Sequence, residues 1–142
     1  MFQKLKELLF ISRVVEPLGR WGERMAQAEY RSSGYKIIRQ NVFNRRGKQV
    51  GEIDFIALGR GCIVFVEVKT RVIGGSRFGT GFEAIHQLKQ QRLLRAVKMF
   101  LNKQPKYQKL QPRIDACLVE VGHLDRGQKR VTILPNAVSD LN

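Results

Sequence analysis

The sequence has little of what builds thiolate metal sites, disulfide frameworks or membrane spans. Its 142 residues include two cysteines, four prolines and one tryptophan. Cys62 and Cys117 each stand in an apolar run without a CxxC partner or a companion histidine, which excludes the usual zinc and redox motifs. They predict two reduced, buried thiols in a cytoplasmic protein. No apolar run approaches the ~18 residues of a membrane span, so no span is expected.

Acidic residues are scarce as well. Twelve Asp and Glu stand against 26 Lys and Arg, which gives a formal net charge of +14. A field of this sign attracts polyanions, nucleic acid first and anionic membrane second. Between Tyr30 and Phe82 the only acids are Glu52, Asp54 and Glu67, and all three stand among apolar neighbours. A carboxylate in such a place is costly unless its charge is compensated, so these three need a partner.

The pattern of apolar and turn residues predicts two parts, a basic amphipathic extension over 1–18 and one domain over 19–142. The apolar core of the extension is short and no small-residue cleavage site follows it, so a signal peptide is not expected. A packing or poorly ordered extension and a membrane-surface helix both fit its helical spacing. In the domain we expect two helices, five strands and a glycine-rich loop over 74–81. The helices are predicted over 19–33 and 82–104, and the strands over 35–43, 50–58, 62–70, 113–121 and 129–135.

This order of elements predicts an α/β fold with a central mixed sheet flanked by helices. Two consecutive strands around a Gly-Arg-Gly turn indicate an antiparallel hairpin. A strand, a long helix and a further strand indicate one parallel crossover beside it.

The register of the hairpin decides where its acids point. If Leu58 pairs with Ile63, Asp54 faces Glu67, and the other face of the hairpin is wholly apolar. A one-residue slip would bury the acids, so the hydrophobic pattern favours the first register, reached through a four-residue loop or a β-bulge. Asp54 and Glu67 are then like charges ~5 Å apart at Cβ, a destabilising pair unless one is protonated or a cation lies between them.

A divalent cation could compensate the charge of these acids. Oxygen ligands without histidine or cysteine suit Mg²⁺ or Mn²⁺. Lys69 follows Glu67 by two residues and shares its face, where it could orient an attacking water and offset charge on a phosphate. A charged cross-strand network is the structural alternative for Asp54, Glu67 and Lys69. Glu52, across from Lys69, fits an ion pair and a ligand role equally.

The spacing of Asp54, twelve intervening residues and then Glu67-Val68-Lys69 resembles the signature of the restriction-endonuclease-like PD-(D/E)XK nucleases. The wider set of blocks resembles the YraN family of small bacterial proteins, which are similar to archaeal Holliday junction resolvases. These blocks are GRWGE at 19–23, GEIDFIA at 51–57, FVEVKTR at 65–71, FEAIHQLKQQRL at 82–93 and RIDACLV at 113–119. The resemblance covers residues 19–121, and Ile53 stands where many such nucleases carry proline.

The resemblance implies a restriction-endonuclease-like fold with a defined site. Asp54 and Glu67 would be metal ligands, Asp54, Glu67 and Lys69 the catalytic residues, and Glu23 on the first helix would complete the metal shell. The basic block of the long helix would face phosphates through Lys89, Gln90 and Arg92. Four more arginines beside the hairpin form a second predicted phosphate-contacting set, although each alone also fits a solvated side chain: Arg45, Arg46, Arg71 and Arg77.

Together these features predict a cytoplasmic, Mg²⁺- or Mn²⁺-dependent endonuclease that hydrolyses phosphodiester bonds of DNA, with branched DNA as one candidate substrate. A non-catalytic nucleic-acid-binding protein of the same fold is the alternative, and a membrane-surface adaptor using residues 1–18 is a third. Resolvases of this type act as dimers because a four-way junction presents two symmetric strands. A homodimer is therefore compatible with the resemblance, although no seam in the sequence indicates one.

Overall fold

The computed structural model describes residues 16–42, 53–73 and 87–139. Most of the predicted extension, the loop over 74–81 and the start of the predicted long helix lie outside these residues. Two helices, one 3₁₀ turn and five strands are present within them. In chain order they are α1 Leu18–Ser32, β1 Lys36–Val42, β2 Ile53–Gly59, β3 Cys62–Val72, α2 Gln87–Lys103, the 3₁₀ turn Pro105–Tyr107, β4 Gln111–Val121 and β5 Lys129–Val138.

The five strands form one mixed sheet in the order β1-β2-β3-β4-β5. Three pairs are antiparallel, namely β1–β2, β2–β3 and β4–β5. The β3–β4 pair is parallel, and α2 lies between these two strands in the chain. A parallel pair needs such a crossover because the chain must return to the end of the sheet where it started. The predicted α/β class, the hairpin and the parallel crossover are confirmed.

The hairpin register is the predicted one, since Leu58 pairs with Ile63. Gly59 also pairs with Cys62, so the turn contains only two unpaired residues, Arg60 and Gly61. Both have positive φ, 54° and 74°, as a type I′ hairpin turn requires. The predicted four-residue loop is therefore a two-residue turn flanked by one more strand pair.

Helices cover both faces of the sheet, so two hydrophobic cores flank the central strands. On one face α1 packs against β2 and β3, in a cluster that includes Trp21, Ala26, Tyr30, Phe55, Ala57, Val64 and Val66. On the other face α2 packs against the same strands, in a cluster that includes Ile56, Ile63, Phe65, Leu93, Ala96 and Val97. Because side chains alternate along a strand, strands buried on both faces read as continuous apolar runs.

This double coverage corrects one expectation from the sequence. The register was expected to separate an apolar face from a face on which the acids escape burial. Asp54 and Glu67 instead share their face with Ile56 and Phe65, under α2, and each acid is only 8% exposed. The chosen register is correct, but burial of the acids follows from it rather than being avoided.

A buried polar network holds α1 on the sheet. Asp115, on β4, is fully buried and accepts hydrogen bonds from Arg113 at 2.7 and 2.9 Å. The Tyr30 hydroxyl on α1 donates to the same carboxylate at 2.7 Å, and the Asn136 N–H on β5 donates at 3.0 Å. Burial, together with the nearby Asp115 carboxylate, raises the pKa of Tyr30. The network joins three elements, namely α1, β4 and β5.

The two cysteines differ in burial. Cys117 lies in the core, and burial raises the pKa of its thiol to about 12. Cys62 is half-buried because it begins β3 beside the hairpin turn, so the prediction of burial is wrong for this residue. Neither forms a disulfide. In the part of the chain described here, no helix has the length and apolar character needed to cross a membrane.

Candidate metal centre and nucleic-acid interface

Two buried carboxylates lie side by side on the central hairpin. In the observed register Phe55 pairs with Val66. Asp54 precedes Phe55 and Glu67 follows Val66, so strand alternation gives both acids the same face, which α2 covers. At this point the Val68 N–H donates to Asp54 Oδ2 at 2.6 Å. Hydrogen bonds to an ionised carboxylate are short and strong, so this contact fixes the orientation of the Asp54 side chain.

A lysine from α2 compensates the second carboxylate. Lys89 Nζ forms an ion pair with Glu67 Oε1, and the two side chains are 38% and 10% exposed. The sequence predicted Lys89 as a phosphate contact on an outer helix face. Packing of α2 over β3 directs this ammonium to the site, and the phosphate contact of Lys89 stays a prediction. The ion pair with Glu67 could not be read from the sequence because it depends on how the helix docks.

Lys69 lies on the same strand as Glu67, two residues further along β3. Strand alternation gives the two side chains the same face, and Lys69 is exposed where Glu67 is buried. An exposed ammonium next to buried carboxylates can meet a polyanion at the rim of the site. The predicted trio of Asp54, Glu67 and Lys69 is therefore together on one face of the hairpin.

Glu23 belongs to α1, the helix on the opposite face of the sheet. Its neighbour Gly22 lies directly on Thr70, since a Cβ built on this glycine would be 1.8 Å from Thr70 Oγ1. The close contact brings the first half of α1 over the end of β3 that follows Lys69. Among the described residues, no three of Asp, Glu, His and Cys form a group that could hold a metal. The metal-ligand role of Glu23 thus stays a prediction.

Half-buried Glu23 also lines a charged groove between α1 and the end of β1. The groove has a volume of about 410 Å³, and its lining includes three arginines of α1 and two amides of β1. These are Arg20, Arg24, Arg31, Gln40 and Asn41. Gln40 pairs with Phe55, the residue that follows Asp54 in β2. The arginines were not among the predicted site residues, although their spacing along one helix was a visible signal.

The other predicted phosphate contacts lie in different surroundings, and their role in binding stays a prediction. Arg71 forms an ion pair with Glu120 at 3.0 Å, which ties it to the neighbouring strand β4. Gln90 and Arg92 are half-buried on α2, a helix whose sequence from Gln87 to Lys103 contains no acid. Three predicted phosphate contacts lie outside the described residues, namely Arg45, Arg46 and Arg77. Glu52, which fits an ion pair and a ligand role equally, also lies outside them.

The helix-flanked mixed sheet, with paired carboxylates and a lysine on its central hairpin, is an α/β architecture of the restriction-endonuclease-like class. The chain belongs to the Uncharacterised protein family UPF0102, whose profile matches residues 22–119. This confirms the resemblance to the YraN family. The matched segment contains all the candidate site residues of β2, β3 and α2, and Glu23 of α1.

Several relatives share most of this segment. The UPF0102 protein of Syntrophotalea carbinolica is 39% identical over 102 residues, which cover 72% of this chain and 77% of that protein. The UPF0102 protein of Symbiobacterium thermophilum is 46% identical over 84 residues, 59% of this chain and 66% of that protein. The UPF0102 protein of Acinetobacter baylyi is 31% identical over 106 residues, 75% of this chain and 71% of that protein. Their names give the family and no activity.

Proposed function

We propose that the protein is a Mg²⁺- or Mn²⁺-dependent endonuclease that hydrolyses phosphodiester bonds in DNA, with branched DNA among its substrates. The observation that carries this proposal is the pair of adjacent buried carboxylates, Asp54 and Glu67, in a chain of net charge +14. Two adjacent buried like charges are costly unless one is protonated or a cation compensates them, and a bound divalent cation would compensate both at once.

The donor set fits a small hard cation. Mg²⁺ is bound in proteins through one or two carboxylates and keeps several waters, which matches the pair formed by Asp54 and Glu67. The Val68 amide holds Asp54 in a fixed orientation, as a metal ligand requires. When bound, such an ion supplies Lewis-acid charge and makes water a better nucleophile near neutral pH.

The remaining steps fall to basic side chains of this chain. Lys69, exposed beside the pair, would hold the attacking water and donate hydrogen bonds to the phosphate as its charge increases. The acid-free surface of α2 would bind the sugar-phosphate backbone on either side of the scissile bond.

We also expect a cytoplasmic location, where both thiols stay reduced. A homodimer would offer two sites to the two strands of a junction.

The second candidate is a non-catalytic DNA-binding protein with the same fold. One contact favours it: Lys89 already compensates Glu67, so the carboxylate pair has an internal cation. Salt-dependent DNA binding fits both candidates, whereas metal binding and turnover separate them.

Calorimetry of Mn²⁺ binding, paired with cleavage of a labelled four-way DNA junction, tests the proposal. The wild type should bind the ion and nick the junction, and Asp54→Asn should do neither. Asp125→Asn is the matched control because Asp125 is exposed and only closes the β4–β5 loop through Gly127 N–H. We expect Lys69→Met to keep most of its DNA affinity and lose about 10²- to 10³-fold in turnover.

The outcomes discriminate between the two candidates. Metal binding without nicking of any DNA tested would keep the metal site and remove the junction as substrate. Absence of both in the wild type would make the acids structural, and the DNA-binding candidate would replace the nuclease.

A further inference from the structure

We propose that Lys89 is a built-in counter-ion that leaves Glu67 for a DNA phosphate when a divalent metal binds. The inference rests on the proposed function, because it assumes a metal at Asp54 and Glu67. Lys89 would then pair with Glu67 in the metal-free protein and with a DNA phosphate in the metal-bound protein, so metal binding would be coupled to DNA binding.

The first step of the argument is the cost of the carboxylate pair. Asp54 and Glu67 are each 8% exposed and are neighbours across the hairpin, so both need compensation even without a metal. The Val68 N–H provides it for Asp54, and the Lys89 ammonium provides it for Glu67. Lys69 is closer in sequence but its side chain is exposed.

The second step is competition between two cations. A metal held by Glu67 would share a carboxylate that already pairs with the Lys89 ammonium. The repulsion energy between two cations at such a short distance is larger than the stabilisation that one half-exposed ion pair provides. Metal entry therefore favours departure of the lysine.

The third step is where the lysine goes. Lys89 is 38% exposed and has a flexible four-carbon stem, so it can turn outward without movement of α2. The helix around it is basic and free of acids from Gln87 to Lys103. No carboxylate of its own helix can receive it, whereas the phosphate of a bound strand can. The positive charge is then delivered to DNA only when the metal is present, and by linkage DNA strengthens metal binding in return.

Mn²⁺ calorimetry without DNA gives the first test. Lys89→Met removes the competitor, so its Kd for Mn²⁺ should fall about two- to fivefold, the range expected from the loss of one partly exposed ion pair. Lys98→Met is the matched control, because Lys98 is an exposed lysine of the same helix, and it should bind as the wild type does. Lys89→Arg keeps the cation and should also resemble the wild type. A thermal melt of each variant checks that it is folded.

DNA binding gives the second test, with a fluorescein-labelled four-way junction and Ca²⁺ in place of Mn²⁺, in samples where a gel shows the junction intact. Without metal, the wild type and Lys89→Met should share one salt dependence, since Lys89 is held by Glu67. With Ca²⁺ the wild type should bind one more phosphate, so its slope of log K against log salt steepens by about 0.9 relative to the variant.

The results separate the two proposals. Wild type that binds no Mn²⁺ refutes the metal-dependent nuclease and removes the premise of the counter-ion. If the wild type binds Mn²⁺ and Lys89→Met binds it equally well or more weakly, the nuclease proposal stands and the role of Lys89 is refuted. Equal salt slopes with Ca²⁺ would likewise show that the lysine never reaches a phosphate.

Discussion

Removal of one buried hydroxyl should test how α1 is held on the sheet. The Tyr30 hydroxyl donates to Asp115 Oδ2 at 2.7 Å, and the two residues are 1% and 0% exposed. Tyr30→Phe keeps the ring and deletes only this donor. A hydrogen bond to a charged group contributes about 1.5–3 kcal/mol, so the free energy of unfolding should fall by that amount.

Tyr35→Phe is the matched control, in a buried tyrosine of the same core. Its hydroxyl accepts from Arg113 Nη2 at the longer distance of 3.3 Å, and Arg113 keeps two bonds to Asp115 without it. The loss should stay below about 1 kcal/mol, within the net value of an ordinary hydrogen bond. Asp115→Asn should cost about 2–4 kcal/mol, because it leaves the half-buried Arg113 guanidinium without its carboxylate.

Urea unfolding followed by fluorescence measures all three variants. The protein has one tryptophan, Trp21, which is buried in α1 within the same core, so its emission reports on separation of the helix from the sheet. Equal losses in Tyr30→Phe and Tyr35→Phe, or a Tyr30→Phe loss under about 0.5 kcal/mol, would refute the network as the anchor of α1. In that case apolar packing alone would hold the helix.

Two further predictions concern Gly22 and Cys117. Gly22→Ala should lower the free energy of unfolding by about 1–3 kcal/mol, because its Cβ would collide with Thr70 Oγ1, and adding Thr70→Ala should restore part of the loss in the same urea assay. Burial raises the pKa of Cys117 to about 12 from an unfolded value of ~8.5, so its stabilising contribution is complete below pH ~8.5 and is lost as pH rises toward 12. Urea unfolding between pH 8 and 9.5 should therefore show a steeper loss for wild type than for Cys117→Ala, and parallel curves would contradict this.

Local patterns were sufficient for the hairpin and its register. A one-residue slip would have placed Asp54 and Glu67 on opposite faces of the hairpin and left neither face wholly apolar, so the apolar pattern had one good solution. The two-residue turn follows from Gly61 and from Arg60 in the left-handed region, which spacing alone did not specify. Parallel pairing of β3 with β4 was predictable for a similar reason, because a long helix separates them.

Contacts that depend on docking of a helix were not predictable in this way. The sequence says that α2 is amphipathic and basic, but the site partner of Lys89 depends on the position of the whole helix on the sheet. The burial of Asp54 and Glu67 was missed for the same reason, since it is α2 that covers their face. Glu23 shows the converse, because its match to a family block gave a role that the described contacts leave untested.

The buried acids of this fold are compensated in two different ways. Among the described residues no buried side-chain nitrogen or oxygen lacks a hydrogen-bond partner, so both kinds are satisfied. Asp115 is satisfied by donors of Arg113, Tyr30 and Asn136, which belong to three packed elements and cannot leave without unfolding. Glu67 is satisfied by an ammonium on a flexible, half-exposed stem, which can turn away at little structural cost. A buried acid with an exchangeable partner is therefore the better candidate for chemistry, and this difference favours the carboxylates of the hairpin over that of β4.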